Sequence, residues 1–169
     1  MTEQTGGVAE VVFEHDDFDF ASLDEELQAD QRCQELLKHF YLHLQAEGLT
    51  AEQASDLAFA ADYFLRDYVI DFLRQNVVRP APGLVRRYAA TWFITRTLDP
   101  EMAVLSRHLE AIQRLYRYMH TLHLVSAEEL AVLEDEAAQE DYYRNRIDSF
   151  CAISGDGYVH WEAAEPLND

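Results

Sequence analysis

The sequence contains little glycine, proline and cysteine, and it has no long run of apolar residues. Its 169 residues include 6 Gly, 4 Pro and 2 Cys, which excludes collagen-like, low-complexity and disulfide-dense proteins. A membrane-spanning helix needs about 20 predominantly apolar residues, and charged residues such as Asp62 interrupt every apolar stretch well before that length. The length suits one folded domain, and we expect no membrane span.

Basic residues are absent from the first part of the chain. The first one is Arg32, so the positive start of a secretory signal and the arginine-rich pattern of a transit peptide are both missing. This predicts a cytoplasmic protein. In that compartment Cys33 and Cys151 are expected to be reduced thiols rather than a disulfide.

Acidic residues are concentrated at the two ends. The chain has 13 Lys and Arg against 32 Asp and Glu, a formal net charge of −19. Residues 1–30 carry −10, residues 31–125 carry +1 and residues 126–169 carry −10. Three interpretations stay open: the ends keep the protein soluble, they fold over a basic surface and screen it, or they bind a partner. For the last, Phe13, Phe18 and Phe20 stand among acids as in a docking segment.

Capping sequences mark the helix starts. A Ser or Thr followed three positions later by Glu or Gln occurs at Ser22, Thr50 and Ser126, and each predicts the start of a helix. The prediction is an all-α single domain of about five helices, at residues 23–47, 50–76 and 84–97, from Pro100 onward, and at 126–150. In the fourth, apolar residues alternate at steps of three and four, which predicts a central seam in the core. They are Met102, Leu105, Leu109, Ile112, Tyr116 and Met119.

This fold divides the chain into three parts. They are an acidic N-terminal arm (residues 1–21), the helical domain (residues 22–150) and a C-terminal tail (residues 151–169). Both ends also have strand propensity, at residues 11–13 and at residues 158–161, which follow a turn signal. A short terminal β-pairing is therefore compatible with the helical prediction.

The middle of the chain is rich in arginine. Residues 74–117 hold eight arginines against three acids, and a guanidinium group can donate two parallel hydrogen bonds to a phosphate or carboxylate. The candidate contacts to nucleic acid or a partner are Arg86, Arg87, Arg96, Arg107, Arg114, Arg117 and Tyr118. The last four share the face of the fourth helix opposite its apolar seam. The alternative is that these arginines only pair with acids of the same chain.

Four successive motifs occupy residues 49–126. They are Leu49-Thr50-Ala51-Glu52-Gln53 opening a helix that closes with Tyr68-Val69-Ile70-Asp71-Phe72-Leu73, the helix at residues 84–97, the run Leu109-Glu110-Ala111-Ile112-Gln113-Arg114-Leu115-Tyr116-Arg117-Tyr118-Met119, and the closing Leu122-His123-Leu124-Val125-Ser126. Over roughly residues 49–135, this order resembles the core-binding domain of phage-integrase-type tyrosine recombinases. The resemblance implies an orthogonal, SAM-like helical bundle that clamps one side of duplex DNA.

The catalytic elements of that family are missing. Tyrosine recombinases carry their chemistry in a second domain with paired arginines, a lysine, a His-x-x-Arg element and a nucleophilic tyrosine. His-x-x-Arg does not occur in this sequence, and the residues after Ser126 are too few for such a domain. Tyr142, Tyr143 and Tyr158 therefore lack the partners that would mark a nucleophile. Serine-hydrolase, dinucleotide-binding and phosphate-loop patterns are absent as well, so we expect no enzymatic activity.

Two histidine pairs, His39/His43 and His120/His123, have the one-turn spacing that a metal ion could use. Neither His-Glu-x-x-His nor Glu-x-x-His accompanies them, so we expect no metal and no cofactor. The sequence predicts a non-catalytic helical module that binds DNA weakly or associates with a DNA-bound partner, modulated by its acidic ends. The alternative is a protein–protein adaptor or a homo-oligomer unrelated to DNA.

Overall fold

The computed structural model describes residues 12–167, and every regular element in that range is helical. A 3₁₀ turn at His15–Phe18 comes first. Seven helices follow: α1 (Leu23–Ala46), α2 (residues 51–72), α3 (residues 84–96), α4 (Met102–Thr121), α5 (Ala127–Ala137), α6 (Glu140–Cys151) and α7 (Gly157–Ala163). The all-α prediction is confirmed. Between residues 12 and 167, no helix combines the length and apolarity that crossing a membrane requires.

The capping sequences act as predicted. The side chains of Ser22, Thr50 and Ser126 each accept a hydrogen bond from the backbone N–H three residues later, at 3.1–3.2 Å. At Thr50 and Ser126, the side chain of the third residue also accepts from the cap N–H, which completes a capping box. α1 ends just before Gly48, whose φ of +104° is a left-handed conformation that glycine adopts without strain.

The apolar seam of the fourth predicted helix is confirmed in α4. Leu105, Leu109, Ile112, Tyr116 and Met119 are all buried. Tyr116 also donates its hydroxyl hydrogen to the Val77 carbonyl oxygen at 2.8 Å, so its polar atom is satisfied inside the core. The helix itself starts at Met102, after a Glu101 cap that makes no side-chain hydrogen bond. Because the apolar face of α4 is packed in the core, the residues on the opposite, exposed face of the helix are held in fixed positions.

The single helix predicted at residues 126–150 is wrong, because the structure places α5 and α6 there with a break at residues 138–139. The Tyr143 hydroxyl donates to the Glu136 carbonyl oxygen at 2.6 Å. The buried Glu136 carboxylate accepts the backbone N–H groups of Gly83 and Arg86, both at 2.9 Å. With its carbonyl and its carboxylate both bonded to other elements, Glu136 ends one helix and caps the start of α3.

The predicted terminal β-pairing is also wrong for the residues that the structure describes. Residues 158–161 lie in α7, and residues 12 and 13 form no strand; residue 11 lies outside the described range. Trp161 is buried against α6, where the Arg146 guanidinium carbon lies 3.8 Å from the centre of its ring. This packing overrides the local strand propensity.

Two stretches of π-helix face each other in the core. α2 changes from an α-helix (Ala51–Asp62) to a π-helix (Tyr63–Phe72), and α3 is π-helical at Tyr88–Trp92. In a π-helix the turn is wider, so Tyr63 and Tyr68, five residues apart, both reach Trp92, with ring centroids 5.3 and 5.2 Å away. The π-helical turns thus gather the large aromatic side chains of α2 and α3 into one cluster, which Tyr88 joins.

Replacing Glu136 tests the cap on α3. Glu136→Ala leaves the partly buried backbone N–H groups of Gly83 and Arg86 without acceptors, so we expect the free energy of unfolding to fall by about 2 kcal/mol. Urea denaturation followed by circular dichroism measures this loss. Asp135→Ala, an exposed change in the same helix, is the matched control and should change stability by less than about 0.5 kcal/mol. Equal effects of the two changes would contradict the role of the cap.

His108 gives the fold a pH dependence. Burial, with a smaller contribution from Arg107, lowers the pKa of His108 to about 4, and its Nδ1 lies 2.9 Å from the Tyr88 hydroxyl. The unfolded chain has a histidine pKa near 6.5 and binds the proton first. Stability should therefore fall as the pH drops from about 6.5 to 4, by up to about 3 kcal/mol.

Urea denaturation at several pH values measures this dependence. His108→Leu should flatten the stability profile over that pH range, because it removes the group whose pKa differs between the folded and unfolded chain. His160→Gln, which changes an exposed histidine, should leave the profile intact. If the profiles of wild type and His108→Leu were parallel, His108 would not be the source.

Candidate functional site

A groove runs between the α1–α2 turn and α4. It consists of two adjoining open clefts of about 540 and about 510 Å³, which share Glu47, Glu110 and Arg114 as lining residues. Arg107 lines one cleft, and Arg117 and Tyr118 line the other. Four of the seven predicted contact residues therefore meet here. Helix periodicity predicted their common face, because all four lie on α4.

Carboxylates hold two of the guanidinium groups of this groove, those of Arg114 and Arg117. Arg114 lies 3.2 Å from Glu110 on its own helix and 3.8 Å from Glu47 at the end of α1. Arg117 reaches α5, where its Nε donates to Glu134 at 2.8 Å. These pairs are partly exposed, so solvent screens them and each adds little to stability. The groove consequently presents both signs of charge.

The aromatic part of the groove is Tyr118. Its ring stacks on His43 of α1 with centroids 4.5 Å apart, and it lies 6.1 Å from Phe40 behind it. Burial raises the pKa of Tyr118 above its ordinary value, so the hydroxyl stays protonated at neutral pH and can donate a hydrogen bond. His43 in turn makes a short contact with Glu47. The sequence signal did not identify His43 or Glu47, because only the turn after α1 brings them to α4.

The other three predicted residues lie outside this groove. Arg86 stacks on the Tyr142 ring at 5.1 Å and lies 3.1 Å from Glu165, whereas Arg96 stacks on Phe72 and Trp92. Arg87 belongs with Arg86 to the first turns of α3. The predicted set is thus spread over more than one surface.

α5 lies between Arg117 of α4 and Arg86 of α3 and contacts both residues. Arg117 pairs with Glu134, and the backbone of Arg86 pairs with Glu136. Residues two apart in a helix point in nearly opposite directions, so Arg117 and Arg86 approach α5 from different sides.

Acids from both ends of the chain reach arginines of its middle. Asp16 lies 3.3 Å from Arg79, and Glu165 engages Arg86 at 3.1 Å. Asp17 pairs with Arg32 at 2.9 Å; a hydrogen bond from the Glu14 backbone N–H and the contact with Arg32 lower the pKa of Asp17. Such contacts agree with the interpretation in which the acidic ends fold over a basic surface and screen it.

The structure does not present the phenylalanines Phe13 and Phe18 of the N-terminal arm as a docking segment would. Phe13 and Phe18 are buried in the protein's own core, 7% and 1% exposed. Phe13 also stacks under the Arg32 guanidinium at 4.7 Å. These two rings are therefore occupied by intramolecular packing and are not presented to a partner.

The histidine pairs do not converge on a metal site. Among residues 12–167, no group of three or more His, Cys, Asp or Glu side chains is arranged to hold a metal ion. His39 packs against the Phe13 ring, and His120 bonds the Val125 carbonyl oxygen at 2.9 Å through Nδ1. Both cysteines are free, Cys33 buried and Cys151 exposed.

We compared the chain with protein-family models, curated proteins and solved structures. None of the three comparisons finds a match. The resemblance to recombinase core-binding domains therefore stays a prediction from the sequence.

Removing the groove arginines should leave the fold intact. Arg107→Ser with Arg117→Ser is expected to change the free energy of unfolding by less than about 1 kcal/mol, because both side chains are exposed. Arg146→Ser provides the contrast, since it removes a buried guanidinium with three hydrogen bonds, at a cost of about 3 kcal/mol. Urea denaturation measures both. A large loss from the double change would assign the groove arginines a structural role instead.

Proposed function

We propose that this protein is a non-catalytic protein-interaction module, an adaptor that binds a partner protein in the groove between the α1–α2 turn and α4. The observation that carries the proposal is the composition of the groove. Arg107, Arg114 and Arg117 share it with Glu47 and Glu110, and Tyr118 supplies an aromatic surface. Arginine and tyrosine are enriched where proteins contact each other.

The interleaved charges favour a protein over a nucleic acid. A phosphate backbone presents one sign of charge, and it would meet Glu47 and Glu110 beside the guanidinium groups. A protein segment carries both signs and can match each position, which gives specificity and register. The net charge of −19 adds a long-range repulsion of DNA.

The groove is also preformed. Tyr118 and the arginines project from α4, whose opposite face is buried in the core, and His43 is fixed by stacking on Tyr118. Sites built on packed helices lose little entropy when a partner binds. For Tyr142, burial and the hydrogen bond to Glu165 raise the pKa to about 12, which gives no support to a role as a nucleophile.

Weak DNA binding is the second candidate, and one observation favours it. Acids of the terminal segments engage Arg79 and Arg86, as a screened basic surface would require. In this alternative, the protein has the SAM-like arrangement of a recombinase core-binding domain, and Arg86, Arg87, Arg96 and the arginines of α4 meet phosphate after the acids move away. A cytoplasmic location, supported by the two free thiols, fits either candidate.

Site-specific photo-crosslinking in the source cell tests the adaptor proposal. A photo-reactive residue in place of Arg107 should give one discrete protein adduct, and the same residue in place of Arg144, exposed on α6, should not. The adduct should be lost when Arg117→Glu is added, because that change reverses a charge in the same groove. Adducts of equal yield at both positions, or an adduct that survives Arg117→Glu, would contradict the proposal.

Fluorescence anisotropy with a labelled DNA duplex separates the two candidates. The adaptor proposal expects no binding by the full chain at low salt. Binding that weakens steeply with salt and is lost in Arg107→Ser with Arg117→Ser would replace it with the DNA candidate, because several phosphate contacts produce a steep salt dependence. Lys38→Ser with Arg144→Ser, both exposed and outside the groove, is the matched control for the loss of two positive charges.

A further inference from the structure

The C-terminal segment, residues 157–165, is attached to the rest of the protein through the side chains and the backbone carbonyls of Trp161 and Glu165. Trp161 is buried, its Nε1 donates to the Arg146 carbonyl oxygen at 2.9 Å, and the Arg146 guanidinium stacks on its ring. Four residues later, the carboxylate of Glu165 accepts the Tyr142 hydroxyl hydrogen at 2.7 Å and lies 3.1 Å from Arg86 Nε. A buried aromatic residue and an acid four positions later, just beyond the end of α7, thus supply the side-chain contacts of the attachment.

The surface beneath this segment is built from α3 and α6. Arg146 of α6 donates to the Ala90 carbonyl oxygen at 2.9 Å and to the Thr91 hydroxyl at 3.0 Å. Both acceptors lie in the π-helical stretch of α3. There the Phe93 N–H donates to the Tyr88 carbonyl oxygen, five residues earlier, and this change of hydrogen-bond pattern leaves carbonyl oxygens accessible to side chains. The third donor group of Arg146 reaches the Trp161 carbonyl oxygen at 2.6 Å. The surface therefore recognises both ring and backbone of the segment.

The acid-binding part of this surface fits its present occupant imperfectly. Arg86 Nε is buried and makes no well-aligned hydrogen bond, although the Glu165 oxygen is only 3.1 Å away. The Thr91 hydroxyl holds the Glu165 backbone carbonyl at 2.7 Å, which fixes the position of that residue. A carboxylate on a separate segment is not tied in this way and could align with Arg86 Nε and the Tyr142 hydroxyl together.

The attachment is also thin. Within α7 only Trp161 is buried, while Tyr158, Val159 and His160 are exposed. The connection from α6 passes through Gly155, whose φ of +57° is left-handed. Segments with few buried apolar contacts open at a small free-energy cost. Opening would uncover Arg146, Thr91 and Arg86 in one place.

We infer that the surface of α3 and α6 beneath the C-terminal segment is a second docking site, separate from the groove. Its ligand is a helical segment of a partner protein with an aromatic residue followed four positions later by Asp or Glu. The protein's own Trp161 and Glu165 occupy the site in the closed state and compete with that partner. A second copy of this chain is a poor occupant, because each copy carries a net charge of −19 and the two repel.

The test uses a fluorescent peptide of residues 156–167 as the probe, added to the full-length protein. Two variants weaken the attachment: Glu165→Gln alone, and Trp161→Ala with Glu165→Gln. Because the closed segment occupies the site, the apparent affinity for the peptide should be at least about tenfold higher in the double variant than in wild type. The peptide should also raise the melting temperature of the double variant, since it restores the missing ring over Arg146.

Three controls make the outcome specific. Adding Arg86→Gln to the double variant should lower peptide affinity about tenfold, and a peptide carrying Glu165→Gln should bind the double variant as weakly, because each change removes one side of the same ion contact. Light scattering should find a monomer without peptide. Should the double variant not fold, Glu165→Gln alone must still bind the peptide more tightly than wild type.

Three results would overturn the proposal. Equal peptide affinities of wild type and both variants would mean that the segment covers no site. Binding unaffected by Arg86→Gln and by the altered peptide would mean that no carboxylate is recognised. Dimerisation of the double variant in the absence of peptide would identify a second copy as the occupant instead of a partner protein.

Discussion

The pairing of guanidinium groups with carboxylates from distant parts of the chain is the constraint on which the surface of this protein depends. Asp16 meets Arg79, Glu134 meets Arg117 and Glu165 meets Arg86. In a chain with 32 acidic and 13 basic residues, carboxylates compete successfully for most cations. Each partly exposed pair adds little stability, but together they decide which arginines an external ligand can reach and at what energetic cost. A ligand-binding surface is therefore expected where exposed arginines line an open cleft.

Local signals in the sequence predicted most of the helices correctly. Side-chain capping depends on residues only three positions apart, and the α4 seam depends on one regular period, so both can be identified without the fold. The break between α5 and α6 was not predicted; it lies where the Glu136 carbonyl oxygen accepts the Tyr143 hydroxyl hydrogen of the next helix. The capping of α3 by the Glu136 carboxylate was not predictable either, because its partners Gly83 and Arg86 lie some fifty residues away. The π-helical turns, which bring the aromatic cluster together, and α7, which packs against Arg146, likewise involve tertiary contacts.

The same distinction between local signals and tertiary contacts applies to the residues of the candidate site. Arg107, Arg114, Arg117 and Tyr118 were grouped correctly because one helix carries them. His43 and Glu47 were not predicted as part of the site, since they reach it only through the chain reversal after α1. The remaining predicted residues, on α3, have no helix in common with the groove. The positions of these three arginines relative to the groove depend on the tertiary fold. The amino-acid composition showed only that the middle of the chain is rich in arginine.

The charge distribution of the groove is the reason for proposing a partner protein rather than DNA as its ligand. Phosphate binding gains free energy mainly by releasing counterions from a backbone of one sign, and that gain is largest when the protein surface is uniformly basic. In the groove, Arg114 lies between Glu47 and Glu110. A polyanion would have to displace these carboxylates or desolvate them beside its own charge, and both steps cost free energy. A segment with alternating charges would replace each pair with an equivalent one, so the arrangement that disfavours a polyanion would give the proposed protein ligand its register.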